Sequence, residues 1–190
     1  VIYQLTTKED IYSLDGHNTL IYEAGQTVSI DISENGYYMT NELGEINISN
    51  LPLGKYQLKE IAPLEGYYTD KTEYEIDLSY DHSDKIIYTK TLNVTNTKST
   101  VEISKVDATS SKELAGAHLS LYDKDNNLIE KWISTDEPHI IRGLKINEEY
   151  RLHEDLAPLG YATASDITFT VTDDTVTKVT MEDEITKIDI

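Results

Sequence analysis

YRLHEDLAPLGY, residues 150–161, has a near copy earlier in the chain, YQLKEIAPLEGYY, residues 56–68. In each phrase apolar residues occupy alternate positions, as they do on the buried face of a β-strand. A glutamate, Glu154 or Glu60, then stands where the next apolar residue is expected. An isolated buried carboxylate is costly unless it is paired or protonated. Each phrase therefore predicts a buried polar site at the end of a core strand.

The composition limits the classes of protein that this chain can represent. Its 190 residues carry 16 basic and 35 acidic groups, a net charge of −19, which argues against nucleic acid and anionic membranes as partners. There is no cysteine, so disulfides and thiolate metal sites are excluded. We find no apolar run long enough for membrane insertion and no leader at Val1, and we expect the chain to be a fragment of a longer protein.

Short alternating segments separated by Gly, Asn and Asp turns predict an all-β chain. Residues 119–134 read as a hairpin that turns at 123–127, because the polar segment DKDNN lacks the glycine and the final glutamate of a calcium loop. Residues 167–183 read as a second hairpin, turning at Asp173–Asp174. Such regular strands favour β-sandwiches.

The repeated phrase divides the chain into two copies, which we predict to be domains at residues 1–98 and 99–190. Aligning Glu60 with Glu154 places Asn96 on Asp183, with seven extra residues in the first copy, predicted in the turn at 78–86. Val1 then aligns with Ala117. The second copy has a further strand before that point, VEISKVD at 101–107, whose counterpart the first copy lacks in this chain.

Strand phase predicts that three inward rows of the second copy each end in an ionisable group. The rows are Val101, Ile103 and Lys105; Val179, Met181 and Asp183; and Tyr150, Leu152 and Glu154. An apolar pocket favours the neutral amine of a lysine and the neutral form of a carboxylic acid. Lys105 is then a nucleophile, Asp183 its acceptor, and Glu154 the group that polarises the acceptor and shuttles protons. Loss of one water would leave an amide between Lys105 and Asp183.

In the first copy, Glu60 and Asn96 are the equivalent catalyst and acceptor, and the leaving group would be ammonia. Lys8 and Lys98 are close in sequence but are predicted to face outward. We therefore expect Asn96 to be an unpaired acceptor in this chain.

Y-x-L-x-E-x-x-A-P-x-G-Y, met by Tyr150 to Tyr161, resembles the E-box of Gram-positive pilins and of the B-type domains of collagen adhesins. VEISKVD and VTMEDE resemble the first and last strands of that family. The resemblance implies two tandem prealbumin-like, reversed immunoglobulin-type β-sandwich domains, with an intramolecular Lys–Asp isopeptide bond in the second. It further implies a stalk or adhesin module at the extracellular bacterial cell wall, joined to neighbouring domains of the same surface protein, with no cofactor. The first copy departs from it by lacking the lysine strand and by carrying APLEGY.

The same residues allow other interpretations. The three polar residues would equally form a buried ion-pair cluster without a covalent bond. A binding module would recognise a host extracellular matrix protein or glycan through an exposed group such as Tyr37, Tyr38, Tyr67 and Tyr68. A carboxylate-pair glycosidase is disfavoured because a single tryptophan offers little sugar platform. The five histidines show no ligand spacing, so no metal site is predicted.

Overall fold

The computed structural model describes residues 1–30, 33, 35–79 and 89–187, and in these ranges the chain forms thirteen strands and no helix. The predicted all-β fold is confirmed. The chain divides into two compact units, Val1–Leu64 with Thr69–Asn96 and Glu65–Tyr68 with Thr97–Ile190. The insertion predicted at 78–86 lies almost entirely outside the described residues.

The second unit is a sandwich of two sheets. Its strands are β7 (Thr100–Asp107), β8 (His118–Asp123), β9 (Leu128–Ile133), β10 (His139–Arg142), β11 (Glu149–Leu156), β12 (Ile167–Thr170) and β13 (Thr177–Asp183). One sheet has the order β10-β7-β13 and the other β12-β11-β8-β9. In the first sheet β13 runs parallel to β7, while the pairs of the second sheet are antiparallel.

The core of the second unit lies between these sheets. Ile103 and Met181 from one sheet, and Leu121 and Leu152 from the other, are at most 2% exposed. Burying each such side chain stabilises the fold by about 1.5–3 kcal/mol. Alternation along β7, β11 and β13 therefore decides which side chains, polar ones included, enter this core.

The two hairpin predictions have different outcomes. β8 and β9 pair antiparallel around a turn in which Asp123 binds the backbone of Asn127, which confirms the first. The prediction of a hairpin at 167–183 is wrong, because β12 pairs with β11 whereas β13 pairs with β7 in the opposite sheet. The chain changes sheets through Val171, which is fully buried in the core. Alternation identified both strands correctly but carries no information about which neighbour each one takes.

The first unit is built on one four-stranded sheet. Its strands are β1 (Ile2–Thr7), β2 (Ile11–Tyr12), β3 (Leu20–Tyr22), β4 (Tyr37–Met39), β5 (Lys55–Ala62) and β6 (Glu73–Asp77). The sheet has the order β4-β1-β5-β6, and β2 pairs with β3. Its core contains Leu5, Val28, Tyr38 and Tyr56, all fully buried.

The first unit differs from the second at the segment aligned with β13. Residues 90–96 form no strand, and Leu92 is 38% exposed where its counterpart Val179 is 6% exposed. In the second unit β7 is the central strand of the three-stranded sheet, so it supplies the backbone partners of both its neighbours. Among the described residues of the first unit, no strand corresponds to β7, so the segment aligned with β13 does not have there the partner that β13 has in the second unit.

Candidate functional site

Three strands of the second unit direct ionisable side chains into its core. Lys105 lies near the end of β7, Asp183 is the last residue of β13, and Glu154 lies on β11 in the opposing sheet. In the parallel pair the partner of Lys105 is Met181, so Asp183 is two residues further along and on the same face. A register shift between Glu154 and Leu156 interrupts the pairing of β11 with β8, which resumes at Leu156 and His118.

The structure brings these three side chains into contact. Lys105 Nζ hydrogen-bonds Asp183 Oδ1 and lies 3.1 Å from Glu154 Oε1. The side chains of Lys105, Glu154 and Asp183 are 1%, 0% and 0% exposed. Glu154 Oε2 accepts a hydrogen bond of 2.6 Å from the backbone N–H of Ala164, which fixes the orientation of the carboxyl group. The three ionisable side chains are therefore in contact with one another in a part of the core that is closed to solvent.

Hydrogen bonding in the cluster is incomplete. Asp183 Oδ2 and Glu154 Oε1 are buried and have no hydrogen-bond partner among the described residues. The 3.1 Å contact of Oε1 with Nζ is close enough for an ion pair but is not a hydrogen bond. Burial raises the pKa of Asp183 above its ordinary value, the nearby Glu154 raises it further, and Lys105 opposes both. A protonated Asp183 is the form whose carbonyl carbon an amine can attack, because a carboxylate anion repels a nucleophile.

Two features of the surroundings were not identified from the sequence. The first is the Ala164 N–H, which no side-chain pattern reveals. The second is Asp107, which accepts a 2.7 Å hydrogen bond from the Tyr161 hydroxyl and two more from the backbone N–H groups of Thr109 and Ser110. The Tyr161 bond, followed by these backbone bonds, lowers the pKa of Asp107. Asp107 lies on the same face of β7 as Lys105, so alternation along the strand could have predicted that its side chain is buried.

The first unit contains an incomplete counterpart of this site. Glu60 is 2% exposed; its Oε1 accepts a 3.2 Å bond from the Asp70 N–H, and its Oε2 accepts a 2.9 Å bond from Asn96 Nδ2. Burial, together with the nearby Glu60, raises the pKa of Tyr3 to about 12. Asp70 follows Glu60 by ten positions, as Ala164 follows Glu154. Among the described residues no lysine forms an ion pair with Glu60.

The four tyrosines that were predicted to be exposed differ in their burial. Tyr38 is fully buried and donates its hydroxyl to the carbonyl of Val28, because it faces inward on β4, whereas Tyr37, next to it, is 43% exposed. Tyr67 and Tyr68 are half-buried and belong to the second unit. The inclusion of Tyr38 was therefore wrong.

The described ranges form neither a metal site nor a helix that could span a membrane. No three His, Asp or Glu side chains converge there so as to hold a metal ion. Within the same ranges, no helix has the length and apolar character required to cross a membrane.

The second unit is a β-sandwich domain whose core holds a lysine in contact with two carboxyl groups. Comparison with known proteins identifies the family of the chain. The family model of the SpaA prealbumin-like fold domain matches residues 6–93 and again residues 99–185. The chain belongs to this family and contains two tandem copies of its domain. A search of curated proteins found no significant match.

Several solved structures resemble the chain. The Bacillus anthracis TIE protein is 23% identical with a TM-score of 0.48 over 78% of this chain, which spans 28% of that protein's length. A C-terminal fragment of the pilus adhesin SpaC from Lactobacillus rhamnosus GG is 19% identical with a TM-score of 0.44, covering 100% of this chain and 90% of the fragment. The shaft pilin SpaA of Lactobacillus rhamnosus GG is 13% identical with a TM-score of 0.42, covering 100% and 86%. All these TM-scores are below 0.5, so the family assignment rests on the sequence match.

Proposed function

We propose that the chain is a structural module of a Gram-positive pilus or other cell-wall surface protein, and that its second unit crosslinks itself once. The observation that carries this proposal is the contact of Lys105 with Asp183 and Glu154 in a core closed to solvent. The acidic, cysteine-free composition fits an exposed extracellular protein that is stabilised by a bond other than a disulfide.

The reaction follows from the arrangement of the three side chains. The lone pair of neutral Lys105 Nζ attacks the carboxyl carbon of protonated Asp183, and Glu154 donates a hydrogen bond to the developing oxyanion. The C–OH bond of Asp183 then breaks, Glu154 carries the amine proton to the leaving hydroxyl, and one water departs. Because the product holds both reacting groups, the reaction turns over once per chain.

We expect the purified chain to be lighter than its sequence mass by one water. The measurement is the intact mass of the denatured protein. Lys105→Ala and Glu154→Ala should each restore the full mass, since one removes the nucleophile and the other the proton carrier. A wild-type chain at full mass would contradict the crosslink and favour the ion-pair cluster.

The first unit is proposed to be an acceptor site without its amine. Asn96 is hydrogen-bonded to the buried Glu60, and the exposed Leu92 marks an edge at which a strand can pair. By analogy with β7, the missing strand would present a lysine to Asn96, and the leaving group would be ammonia. The mass deficit of the chain should therefore be one water with no loss of ammonia.

A strand supplied from outside should be captured by this site. We expect a synthetic peptide with the sequence of residues 99–109 to form an adduct that weighs the sum of chain and peptide less one ammonia. Asn96→Ala and a peptide with arginine in place of its lysine are the matched controls, and neither should form the adduct. Intact mass after incubation measures this, and an adduct that persists with Asn96→Ala would place the reaction elsewhere.

A further inference from the structure

The relative register of β7 and β13 decides whether Lys105 can reach Asp183. The two strands are parallel, and the reacting residues are diagonal to each other across the pair. A shift of one residue would turn Asp183 to the other face, and a shift of two would move it by about 6.6 Å. Parallel strands cannot be joined by a tight hairpin, so no turn fixes this register.

A tyrosine hydroxyl joins the beginnings of the two strands. Tyr68 accepts a 2.8 Å hydrogen bond from the N–H of Thr100, the first residue of β7, and donates a 3.0 Å bond to the carbonyl of Thr175, two residues before β13. A single hydroxyl thus bridges both strands at the same level. Its partners are backbone atoms, so the bridge constrains the position of each strand along the other.

The segment that carries Tyr68 is itself firmly held in the second unit. The N–H of Tyr68 donates to the carbonyl of Thr97, and the carbonyl of Gly66 accepts from Ser99 N–H, both at 2.9 Å. A Cβ at Gly66 would lie 2.4 Å from the carbonyl oxygen of Gly143, so this position has room only for glycine. The backbone position of Tyr68 is therefore fixed within the second unit.

A second tyrosine joins the ends of the same two strands. The Tyr161 hydroxyl donates to the Asp107 side chain on the last residue of β7, while the Tyr161 backbone pairs with Ile185, two residues after β13. Ala162 N–H adds a 2.9 Å bond to the carbonyl of Glu184. The reacting pair lies between this bridge and the one made by Tyr68.

We propose that Tyr68 and Tyr161 are positioning residues for formation of the amide, acting as a clamp that holds β7 and β13 in the only register in which Lys105 meets Asp183. This inference rests on the proposed crosslink. Neither hydroxyl touches the reacting atoms, and both act through the backbone or side chains of the two strands. Once the amide has formed it fixes the register by itself, so the clamp is needed before the reaction and not after it.

The test measures the rate of bond formation in the full chain. Cell-free synthesis is quenched in acid at timed intervals, and intact mass gives the fraction of folded chain that has lost water. Tyr68→Phe and Tyr161→Phe are each expected to slow the reaction about three- to tenfold, the range expected when one hydrogen bond that restrains the reacting geometry is lost. The fully reacted variants should melt at the wild-type temperature.

The matched control is Tyr150→Phe. The Tyr150 hydroxyl accepts a 2.8 Å bond from the N–H of Lys145, comparable to the bond at Tyr68, but it contacts neither β7 nor β13 through that group. Its loss should leave the rate unchanged. In a Glu154→Gln background, which does not react, Tyr68→Phe and Tyr161→Phe should remain folded at the assay temperature.

The outcomes separate the clamp from the crosslink. A wild-type chain that loses water, with both tyrosine variants as fast as wild type, would refute the clamp alone. Variants that are unfolded in the Glu154→Gln background would show a general structural role and would also refute it. A wild-type chain that keeps its full mass would refute the crosslink and, with it, any role of the clamp in forming it.

Discussion

Glu154→Gln is expected to leave the second unit folded but to lower its free energy of unfolding by about 4.5 kcal/mol. The reason is that the variant lacks the crosslink, which in wild type reduces the conformational entropy of the unfolded chain. Lys105 and Asp183 are 78 positions apart. The substitution keeps the size of the side chain, and Lys105 keeps its contact with Asp183, so the loss reports the covalent bond. Guanidinium-induced unfolding of both proteins measures the difference.

The control for this substitution is Glu149→Gln, which changes an exposed glutamate on the same strand. We expect its stability to differ from that of wild type by less than about 0.5 kcal/mol. If Glu154→Gln unfolds at the wild-type denaturant concentration, the wild-type chain contains no crosslink that stabilises it.

The extension of the second unit under force should differ even more between wild type and Glu154→Gln. When the wild-type chain is pulled from its ends, force passes from Lys105 to Asp183 through the amide, and the residues between them stay slack. The hidden length is the span of 78 residues, about 260–280 Å at the full extension of 3.3–3.6 Å per residue. Glu154→Gln should release this length on unfolding, and wild type should not.

Single-molecule force spectroscopy of the full chain between identical handles measures this difference. The unfolding of the first unit appears in both proteins and serves as the internal reference. An additional step of about 260–280 Å in the wild-type trace would show that the loop is open and would contradict the crosslink.

Strand phase was sufficient to predict that Lys105, Asp183 and Glu154 are buried in the same core. The rows that end in Lys105, Asp183 and Glu154 are inward because alternation has a period of two, and a buried charge in such a row is too costly to be incidental. Phase could not predict partners, which is why β12 and β13 were read as a hairpin. Strand pairing is decided by tertiary packing across the two sheets, and local sequence carries little of that information.

The contacts of Tyr68 with Thr100 and Thr175 could not be predicted from the sequence either. The predicted boundary at residue 98 assigns Tyr68 to the first domain, whereas the structure groups Glu65–Tyr68 with the second unit. The contacts responsible are backbone hydrogen bonds and the close approach of Gly66 to Gly143. Contacts of both kinds join segments that are far apart in the sequence, and the residue types of these segments do not predict them. The contact between Glu60 and Asn96, by contrast, was predicted from the repeat alone.

A tryptic digest of the wild-type chain, analysed by tandem mass spectrometry, detects the bond between Lys105 and Asp183 itself. We expect one branched species that joins residues 99–112 to residues 179–187 and is lighter than the two peptides together by one water. Its fragment ions should place the link between Lys105 and Asp183. Cleavage after Lys105 should be absent, because its amine is acylated. Recovery of residues 99–105 as a free peptide, with residues 179–187 at full mass, would contradict the crosslink.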